Sequence, residues 1–291
     1  MRTVLVAGAT GFLGKRLLEH SFRSGDRVVA LTRPESVSKL DDSKQFVTDV
    51  RIAELSDGRA LDAAMRGVDA VVSTVGMTKP ARGMDPETVD FGGNMALLAA
   101  ATDANVGHFT YVSLDGVELP GADDIALIRA KRRFEEALRQ GSIDWAIARP
   151  NGFFWNYGIY LSLARDHGIM RLVGNGEART TPIDEGELAA AIVARIGDRQ
   201  SIYSVGGPQD LTFNEVAELI GVALGKTIKV SHYSQGATAA ALKMLHPFSP
   251  ARADLLQMFV WLLNAGVTSD HIGTATLGDW LTAHRDARFS V

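Results

Sequence analysis

The sequence predicts a doubly wound α/β fold, in which helices cover both faces of a parallel sheet. Two observations support this prediction. Short β-branched runs alternate with helical patterns over residues 1–150, and a glycine-rich turn joins the first strand to the first helix. Regular alternation of strands and helices is typical of parallel sheets. The 291 residues suffice for one such domain and a smaller lobe.

The first 150 residues contain six predicted strands and four predicted helices. Aliphatic and β-branched runs indicate the strands, and apolar residues at helical spacing indicate the helices. The predicted strands are residues 3–7, 27–32, 45–48, 70–74, 108–113 and 144–149, and the predicted helices are residues 12–24, 59–65, 92–105 and 125–140. We expect residues 1–150 to form one domain.

A different rhythm begins at about Asn151 and predicts a smaller C-terminal lobe, residues 151–291. Thr212 and Glu215 have the spacing of a capping box at the start of a helix. The predicted helices are residues 186–196, 213–224, 276–288 and a stretch over 236–265 that is interrupted near Pro247 and Pro250, and the predicted strands are residues 228–232 and a late sheet strand at 201–205. We expect the lobe at the carboxyl edge of the sheet, where open α/β sheets bind ligands.

The composition excludes several kinds of site. The net charge is −4, and no run of lysine and arginine points to nucleic acid or to an anionic membrane. The chain has no cysteine, which excludes disulfides, thiolate zinc sites and cysteine nucleophiles. The seven histidines show no metal-ligand spacing, so we expect no metal site. Because no apolar stretch is long enough to span a bilayer, we expect a cytoplasmic protein.

The glycine-rich turn predicts a dinucleotide site. Its glycines allow a tight turn, close approach of the backbone to a pyrophosphate, and close packing of helix on strand. The pyrophosphate then lies at the helix N-terminus, where free N–H groups and the helix dipole favour an anion. The position between strand and helix indicates a Rossmann domain rather than a glycine turn without a ligand. The predicted contacts are Gly8, Thr10, Gly11, Phe12, Leu13 and Gly14.

The end of the second predicted strand indicates which dinucleotide binds. An NAD site usually places aspartate or glutamate there to bind the ribose 2′-hydroxyl. This chain has Arg33 instead, whose guanidinium can bind a 2′-phosphate through several N–H groups, and Lys15 is a second candidate. We therefore expect NADP(H), with NAD(H) as the alternative if Arg33 is only a solvated loop charge.

Two further positions at the carboxyl edge are candidates for the adenosine half of the cofactor. Asp49 follows the third predicted strand, where its carboxylate could accept from the adenine amino group, although it could equally form a turn. Thr74, Val75 and Gly76 end the fourth predicted strand, where the backbone could approach the adenosine ribose.

Lys131 lies on the apolar face of a predicted amphipathic helix. At about 100° per residue, Leu127, Ala130 and Phe134 share this face, while arginines and glutamates occupy the other one. An unpaired buried ammonium is costly, so Lys131 is expected to reach a pocket that contains hydroxyls, carbonyls or water. The alternative is a lysine at the edge of the face whose ammonium extends to solvent.

The position of Lys131 resembles that of the lysine in the Tyr-x-x-x-Lys pair of short-chain dehydrogenase/reductases. The wider pattern is similar to the atypical, NmrA-like branch of that superfamily. The matching pieces over residues 1–225 are the G-x-x-G-x-x-G turn, Tyr111-Val-Ser113, Lys131 with Glu135, Ala148-Arg149-Pro150 followed by Phe153-Phe154, Thr181-Pro182-Ile183, and Ser204-Val-Gly-Gly-Pro208.

This resemblance implies an NAD(P)H-dependent reductase or a cofactor-sensing regulator, because the branch contains both. It implies that Lys131 is the catalytic residue that holds the nicotinamide ribose, and that Ser113, Pro150 and Phe153 contact the cofactor. Leu127 stands where the superfamily has its catalytic tyrosine. Ordinary ketone or alcohol chemistry is therefore not expected.

An aromatic segment after the sixth predicted strand is the candidate substrate wall. Phe154, Trp155 and Tyr157 suit a flat, apolar small molecule, although Phe153, Phe154 and Trp155 could each equally be a core residue beneath the second lobe. Tyr157 or Tyr160 could supply a phenol from another backbone position. The candidates for an apolar lid are Met244, Leu245, Phe248, Met258, Phe259 and Trp261. We interpret Asp184, Glu185 and Glu187 as charges at a helix start rather than as an acid/base pair.

Two functions fit these observations. The first is an NADPH-dependent reductase that transfers hydride to an activated acceptor such as a quinone or a conjugated enone. The second is a protein that senses NADP(H) without turnover and acts through a protein partner. The sequence shows no partner-binding tail and so favours the reductase. It does not indicate an oligomeric state.

Overall fold

Thirteen strands and ten α-helices are present in a computed structural model that describes residues 1–77 and 85–289. The strands are β1 Thr3–Ala7, β2 Arg27–Thr32, β3 Asp49–Ile52, β4 Ala70–Ser73, β5 His108–Val112, β6 Asp144–Pro150, β7 Gly152–Phe153, β8 Ile169–Val173, β9 Arg179–Thr180, β10 Pro182–Ile183, β11 Ser201–Val205, β12 Leu211–Thr212 and β13 Lys229–Tyr233. The α-helices are α1 Phe12–Arg23, α2 Gly58–Ala64, α3 Asn94–Asp103, α4 Ala126–Gln140, α5 Phe154–His167, α6 Glu185–Ala194, α7 Phe213–Leu224, α8 Gln235–Leu245, α9 Pro250–Ala265 and α10 Leu277–Ala283. A π-helical segment, Glu87–Gly93, leads directly into α3.

Seven of the strands form one parallel sheet in the order β11-β6-β5-β4-β1-β2-β3. Val4 of β1 pairs with Val28 on one side and with Ala70 on the other. The order reverses between β1 and β4, so a crevice opens at the carboxyl ends of these strands, which is where doubly wound sheets bind ligands. The fold class predicted from the sequence is confirmed.

The two faces of β1 pack against different layers of helices. Val4 and Val6 lie in a core with α1 and α6, whereas Leu5 and Ala7 lie in a core with α2, α3 and α4. A strand that is buried on both faces requires such a continuous apolar run. Helix α6 therefore covers the first domain although it follows residue 150, and β11 joins the sheet as a late strand, as predicted.

The third strand was predicted wrongly. Residues 45–48 are not a strand, because 3-10 turns span Pro34–Phe46 and β3 begins only at Asp49. The apolar pair in the misread segment, Phe46 and Val47, packs against the core beneath α1 instead of forming a ladder. The true strand lies at the edge of the sheet with Val50 and Ile52 exposed, so its sequence carries no buried face.

The second lobe has a separate core formed by α5, α7, α10 and β8. Helix α7 begins with the predicted capping box of Thr212 and Glu215, and the predicted interruption near Pro247 and Pro250 separates α8 from α9. Helix α5 was not predicted, because apolar residues occur on all its sides and no single face stands out. Within the described residues, no helix has both the length and the apolar character needed to cross a bilayer.

Candidate functional site

The glycine-rich turn between β1 and α1 is packed tightly by backbone. Gly8 has a φ of +79°, in the left-handed region, and a side chain there would collide with the Thr74 hydroxyl. A Cβ atom on Gly14 would lie 2.9 Å from the Ala9 backbone, so α1 packs directly on the turn. The Gly11 N–H donates to the Gly8 carbonyl at 3.0 Å. These glycines therefore meet the packing demands that the sequence predicted.

The N-terminus of α1 carries no side-chain cap. Gly11 is its N-cap residue, and the first turn contains no acidic side chain. Phe12 is exposed beside this turn, and the Lys15 ammonium lies 3.4 Å from a carboxylate oxygen of the exposed Asp42. An uncapped helix N-terminus above a glycine turn suits a pyrophosphate. The residues present thus fit the dinucleotide expected here.

Arg33 lies on the surface at the end of β2. Its Nε is 3.1 Å from Oε1 of Glu35, and both side chains are about half exposed. Exposed ion pairs of this kind contribute little free energy. Arg33 can therefore exchange Glu35 for a phosphate oxygen at small cost.

Asp49 does not lie where the sequence placed it. It is the first residue of β3 rather than the residue after a strand, and its carboxylate accepts from Nε of Arg51 at 3.2 Å. The carboxyl end of β3 is Ile52, so Ala53 and Glu54 follow the strand instead. The error has the same cause as the misplaced strand, and it removes the topological reason for an adenine contact by Asp49.

The loop after β4, residues 74–77, is held by polar groups on both sides. The Thr74 N–H donates to the last carbonyl of β1 at 3.0 Å, and the Val75 carbonyl accepts from an α3 asparagine at 3.1 Å. The Met77 N–H donates to Asp90 Oδ2 at 2.9 Å. Gly76 passes so close to Asp90 that a Cβ atom would lie 2.7 Å from Oδ1. The loop thus borders the crevice in a defined conformation.

Lys131 points into the protein, as predicted, and meets a carboxylate. Its Nζ lies 3.2 Å from Oδ1 of Asp90, its side chain is 14% exposed, and the carboxylate is 0% exposed. Nζ also lies 5.6 Å from the centre of the Tyr111 ring. Burial by itself lowers the pKa of Lys131, but the polar contact with Tyr111 and the negative charge of Asp90 outweigh burial and raise the pKa above its usual value of 10.5. Lys131 is therefore an ammonium at neutral pH.

The phenol of Tyr111 is buried on β5 and is not at the position of the missing family tyrosine. Leu127 occupies that position and is buried in the helix interface. Tyr111 is fully buried beneath Lys131, and burial raises the pKa of its phenol. Among the residues that the structure describes, the buried hydroxyls of Tyr111 and Ser113 have no hydrogen-bond partner. Ser113 directly follows β5, so its hydroxyl is a polar group at the carboxyl edge.

The aromatic segment after β6 divides into surface and core residues. Phe153 is partly buried against the core of the first domain, and Trp155 packs on Phe12 with ring centres 4.8 Å apart. The backbone N–H of Trp155 donates to the buried carboxylate of Glu185 at 3.0 Å. Trp155 and Phe12 therefore form an aromatic pair next to the glycine turn.

Phe154 and Tyr157 are core residues, which corrects their proposed place in a substrate wall. Phe154 is fully buried in the core of the second lobe. The Tyr157 hydroxyl lies 2.8 Å from Oγ1 of Thr180, which donates to Oδ1 of Asn151 at 2.9 Å. Burial raises the pKa of Tyr157 and raises the pKa of Tyr160 to about 12. For Phe154 the structure therefore agrees with the core alternative, and Tyr157 is a buried core residue as well.

The acidic residues before α6 stabilise the helix start, as interpreted from the sequence. Asp184 is the N-cap residue and accepts from the backbone N–H groups of Gly186 and Glu187. Glu187 accepts from the hydroxyl and the N–H of Thr274 at 2.7 and 2.9 Å. These carboxylates bind backbone and the C-terminal segment rather than each other.

Only some of the residues predicted to form a lid pack against the rest of the protein. Met258 and Trp261 of α9 pack on the segment between β5 and α4. Met244 and Phe248 instead are 75% and 87% exposed. Helix α9 thus lies near the carboxyl edge of β5, whereas α8 faces solvent.

Comparison with protein families decides the ligand class. Residues 8–198 match the model of a family described as NAD(P)H-binding. The chain belongs to this NAD(P)H-binding family. Together with the fold, the match confirms the resemblance to atypical short-chain dehydrogenase/reductases. The family match therefore supports a nicotinamide cofactor for this chain.

Curated relatives of this family member include reductases. The chain is 30% identical over 256 residues, 87% of its length and 84% of the relative's, to a (4-alkanoyl-5-oxo-2,5-dihydrofuran-3-yl)methyl phosphate reductase from Streptomyces griseus subsp. griseus. It is 31% identical over 242 residues to the chloroplastic divinyl chlorophyllide a 8-vinyl-reductase of Oryza sativa subsp. indica, covering 77% of this chain and 59% of that longer protein.

A solved structure supports the fold over nearly the whole chain. The NADPH complex of an NADPH-dependent quinone oxidoreductase from Escherichia coli is similar with a TM-score of 0.77 at 22% identity. The similarity covers 96% of this chain and 99% of the other. The second lobe of this family member therefore has a counterpart in a known fold.

Two carboxylates of the site were not found from the sequence. Asp90 pairs with Lys131, and the signal was the lysine itself, because an ammonium on an apolar face requires a buried counter-charge. Asp115, two positions after Ser113, accepts from the Ser269 hydroxyl at 2.6 Å, and burial raises its pKa. Its signal was its place just beyond a strand end in the family's sheet.

Proposed function

We propose that this protein is an NADPH-dependent reductase whose substrates are conjugated acceptors such as quinones or enones. The observation that carries the proposal is the Lys131 ammonium beside residues 74–77, together with Leu127 in place of the family tyrosine. The arrangement keeps a positive charge at the carboxyl edge and lacks a phenol to protonate an alkoxide. NADPH supplies a hydride when bound.

A conjugated acceptor has less need of the missing phenol than a ketone. The hydride adds to the β carbon of the double bond that is conjugated with the carbonyl group. The electrons of that double bond shift toward the carbonyl oxygen and produce an enolate. Its carbon can take a proton from water in a later step. A fixed ammonium favours such developing negative charge without giving up its own proton. The Lys131 ammonium carries three N–H donors, which suits ribose hydroxyls.

The relatives support this class of acceptor. One is named for reducing a 2,5-dihydrofuran that carries 5-oxo and 4-alkanoyl groups, another for reducing a vinyl group, and a third, from Xenophilus azovorans, is an NAD(P)H azoreductase that is 25% identical over 229 residues, 78% of this chain. All three names denote reduction of an unsaturated group. We infer that this protein is an oxidoreductase, and the relatives do not favour a sensor without turnover.

NADP(H) is the proposed cofactor because Arg33 stands at the end of β2 in reach of solvent. Gly8, Thr10, Gly11, Phe12, Leu13 and Gly14 would hold the pyrophosphate half, and Thr74, Val75, Gly76, Ser113, Lys131, Pro150 and Phe153 would hold the remainder. Trp155 is the retained candidate for contact with a flat, apolar substrate.

The test is a screen of quinones, conjugated enones and unsaturated lactones for NADPH oxidation. Gly11→Glu is the background control, because it places a carboxylate where the pyrophosphate is expected. Lys131→Ala should lower kcat/KM for any accepted substrate by about 100-fold, as for loss of one group that stabilises developing charge. Lys243→Ala, on the exposed helix α8, should leave it unchanged.

Two outcomes would contradict the proposal. Absence of NADPH oxidation above the Gly11→Glu background across the screen would count against a reductase of this class. Tight NADPH binding with capture of a defined protein partner, in the absence of any turnover, would support a sensor instead.

A further inference from the structure

Asp90 is a buried carboxylate whose two oxygens have different neighbours, an ion pair at one and a hydrogen bond at the other. Oδ1 lies 3.2 Å from Nζ of Lys131, and Oδ2 accepts from the Met77 N–H at 2.9 Å. The side chain has no exposed surface. A carboxylate is retained in such a place only with partners for its charge. Asp90 therefore connects helix α4, which carries Lys131, to the loop of residues 74–77 after β4.

The segment that carries Asp90 is itself anchored from behind. Nδ2 of Asn94 donates to the Asp90 carbonyl at 2.7 Å and to the Val75 carbonyl at 3.1 Å. Oδ1 of the same asparagine accepts from the Ser73 hydroxyl at 2.6 Å. Asn94 and Ser73 are fully buried. This network fixes the π-helical segment against the end of β4, so the position of the Asp90 carboxylate is determined by buried bonds.

Gly76 shows how closely these groups surround the loop. A Cβ atom there would lie 2.7 Å from Asp90 Oδ1 and 3.1 Å from Lys131 Nζ. The ion pair thus lies directly against the backbone that borders the crevice. Any side chain at position 76 would force the pair apart, which explains glycine at this position.

We propose that Asp90 is a positioning residue, which keeps the Lys131 ammonium charged and directed at the cofactor side of the loop. The proposal rests on the proposed role of Lys131 in reduction. Asp90 itself is too buried to touch a substrate, so its effect is exerted through Lys131. The hydrogen bond that Asp90 Oδ2 accepts from the Met77 N–H fixes the position of the loop relative to that ammonium.

Among the residues that the structure describes, the groups that face Lys131 are few and come from different elements. They are Asp90 on the π-helical segment and the Tyr111 phenol on β5, with the carboxylate of Glu135 one turn further along α4 and already bound by Arg149. Tyr111 is neutral at ordinary pH because burial raises its pKa. Asp90 therefore supplies the negative charge next to Lys131 in the neutral range.

Asp90→Asn separates charge from shape. Asparagine keeps an oxygen that can accept from the Met77 N–H, but it leaves the buried Lys131 without a counter-charge. Burial then favours the neutral amine, so the pKa of Lys131 should fall by several pH units, to between about pH 7.5 and about pH 9. The readout is the titration of the lysine Cε signals by NMR in ¹³C-lysine-labelled protein, with Lys131→Arg identifying the signal. Asp103→Asn, an equal charge change on the exposed end of α3, is the control.

NADPH affinity gives a second readout that does not depend on turnover. In the wild type the dissociation constant should be the same at about pH 7.5 and about pH 9, because the 2′-phosphate is fully ionised in this range and Lys131 remains charged throughout. In Asp90→Asn the affinity should weaken about tenfold over the same interval as Lys131 loses its proton. Asp103→Asn should behave as the wild type.

An unchanged Lys131 titration in a folded Asp90→Asn protein would overturn the proposal, as would NADPH affinity that stays independent of pH. If Asp90→Asn does not fold, the NADPH affinities of the single variant Lys131→Met and the double variant Asp90→Asn/Lys131→Met are compared instead. Removal of both charges relieves the buried mismatch, and the second substitution should then change NADPH affinity less than twofold. A further large loss would show that Asp90 acts independently of Lys131. Failure of every acceptor in the reductase screen, with these shifts present, would refute the proposed function and leave the role of Asp90 intact.

Discussion

Arg149 on β6 binds the carboxylate of Glu135 on α4 through two of its guanidinium nitrogens. Nε lies 3.1 Å from Oε1 and Nη2 lies 2.5 Å from Oε2, with the side chains 12% and 3% exposed. Glu135 comes one turn after Lys131 on the same helix. The segment of Lys131 and Glu135 on α4 and the segment of Arg149 on β6 lie apart in the sequence, and this ion pair connects them. The ion pair therefore fixes the rotation of α4 about its axis and, with it, the direction of Lys131.

Loss of this connection should destabilise the fold. Glu135→Ala leaves the Arg149 guanidinium mostly buried with only the exposed Glu118 as partner. Removal of one partner of a buried pair costs about 3–5 kcal/mol, so urea unfolding should show a loss of that order. Glu136→Ala, which removes an exposed partner of Arg132, should cost less than about 1 kcal/mol. Equal losses in the two variants would mean that the Arg149 pair is not structural.

Cofactor selectivity should depend on Arg33. Arg33→Ala removes a charge-assisted contact to the 2′-phosphate, which should weaken NADP(H) binding by about 1.5–3 kcal/mol and leave NAD(H) nearly unaffected. Titration of cofactor fluorescence measures both dissociation constants. Glu35→Gln is the matched control: it frees Arg33 from its partner and should not weaken NADP(H). Parallel weakening of both cofactors by Arg33→Ala would show that Arg33 does not bind the 2′-phosphate.

Gly14 should be difficult to replace without loss of stability. Its Cβ would meet rigid backbone of Ala9, and overpacking of this kind costs about 1–3 kcal/mol or more. Gly58→Ala, at the start of α2, meets no atom within 4 Å and should be neutral or slightly stabilising. Thermal unfolding of the two variants without cofactor makes the comparison. A Gly14→Ala protein as stable as Gly58→Ala would contradict the packing described here.

Most of the sheet could be predicted because each buried strand is a short apolar run bounded by turns. β1, β2 and β11 have the predicted limits, whereas β3 does not, since it lies at the edge and exposes its apolar residues. The misplaced edge strand also made the predicted position of Asp49 wrong, because Asp49 begins β3 instead of following it. Local patterns locate strands by burial, and an edge strand with an exposed apolar face gives no such signal.

The candidate site was predictable only where one residue carries the signal alone. Glycine spacing and the inward lysine could be identified on their own, because each reflects a local constraint. Asp90 and Asp115 could not, because their importance comes from partners in distant elements: Lys131 for one and the Ser269 hydroxyl for the other. Phe154 and Trp155 are adjacent and both aromatic, yet one is core and one is surface, which the packing of the second lobe decides.

Tyr157 should contribute to stability and not to chemistry. Tyr157→Phe removes the hydroxyl that binds Thr180, a buried hydrogen bond worth about 1 kcal/mol. Tyr160→Phe is the control, because among the described residues its hydroxyl has no protein partner, and it should cost less than about 0.5 kcal/mol. Turnover of an accepted substrate should be retained in both variants. Loss of turnover in a folded Tyr157→Phe protein would identify this phenol as the proton donor and would overturn its assignment to the core.

The charge of Lys131, rather than a proton from it, should support turnover. Because its pKa in the folded protein is raised above 10.5, the ammonium persists at every lower pH and is lost only as the pH rises past the raised value. The rate should therefore show no lysine titration between about pH 6 and about pH 9. Lys131→Arg keeps the charge and the contact with Asp90 and should retain activity within about tenfold of the wild type, well above Lys131→Ala. The measurements are kcat/KM against pH for the three proteins, with thermal unfolding to confirm that each is folded. A step in the wild-type profile that disappears in Lys131→Arg, together with activity as low as that of Lys131→Ala, would show instead that Lys131 transfers a proton.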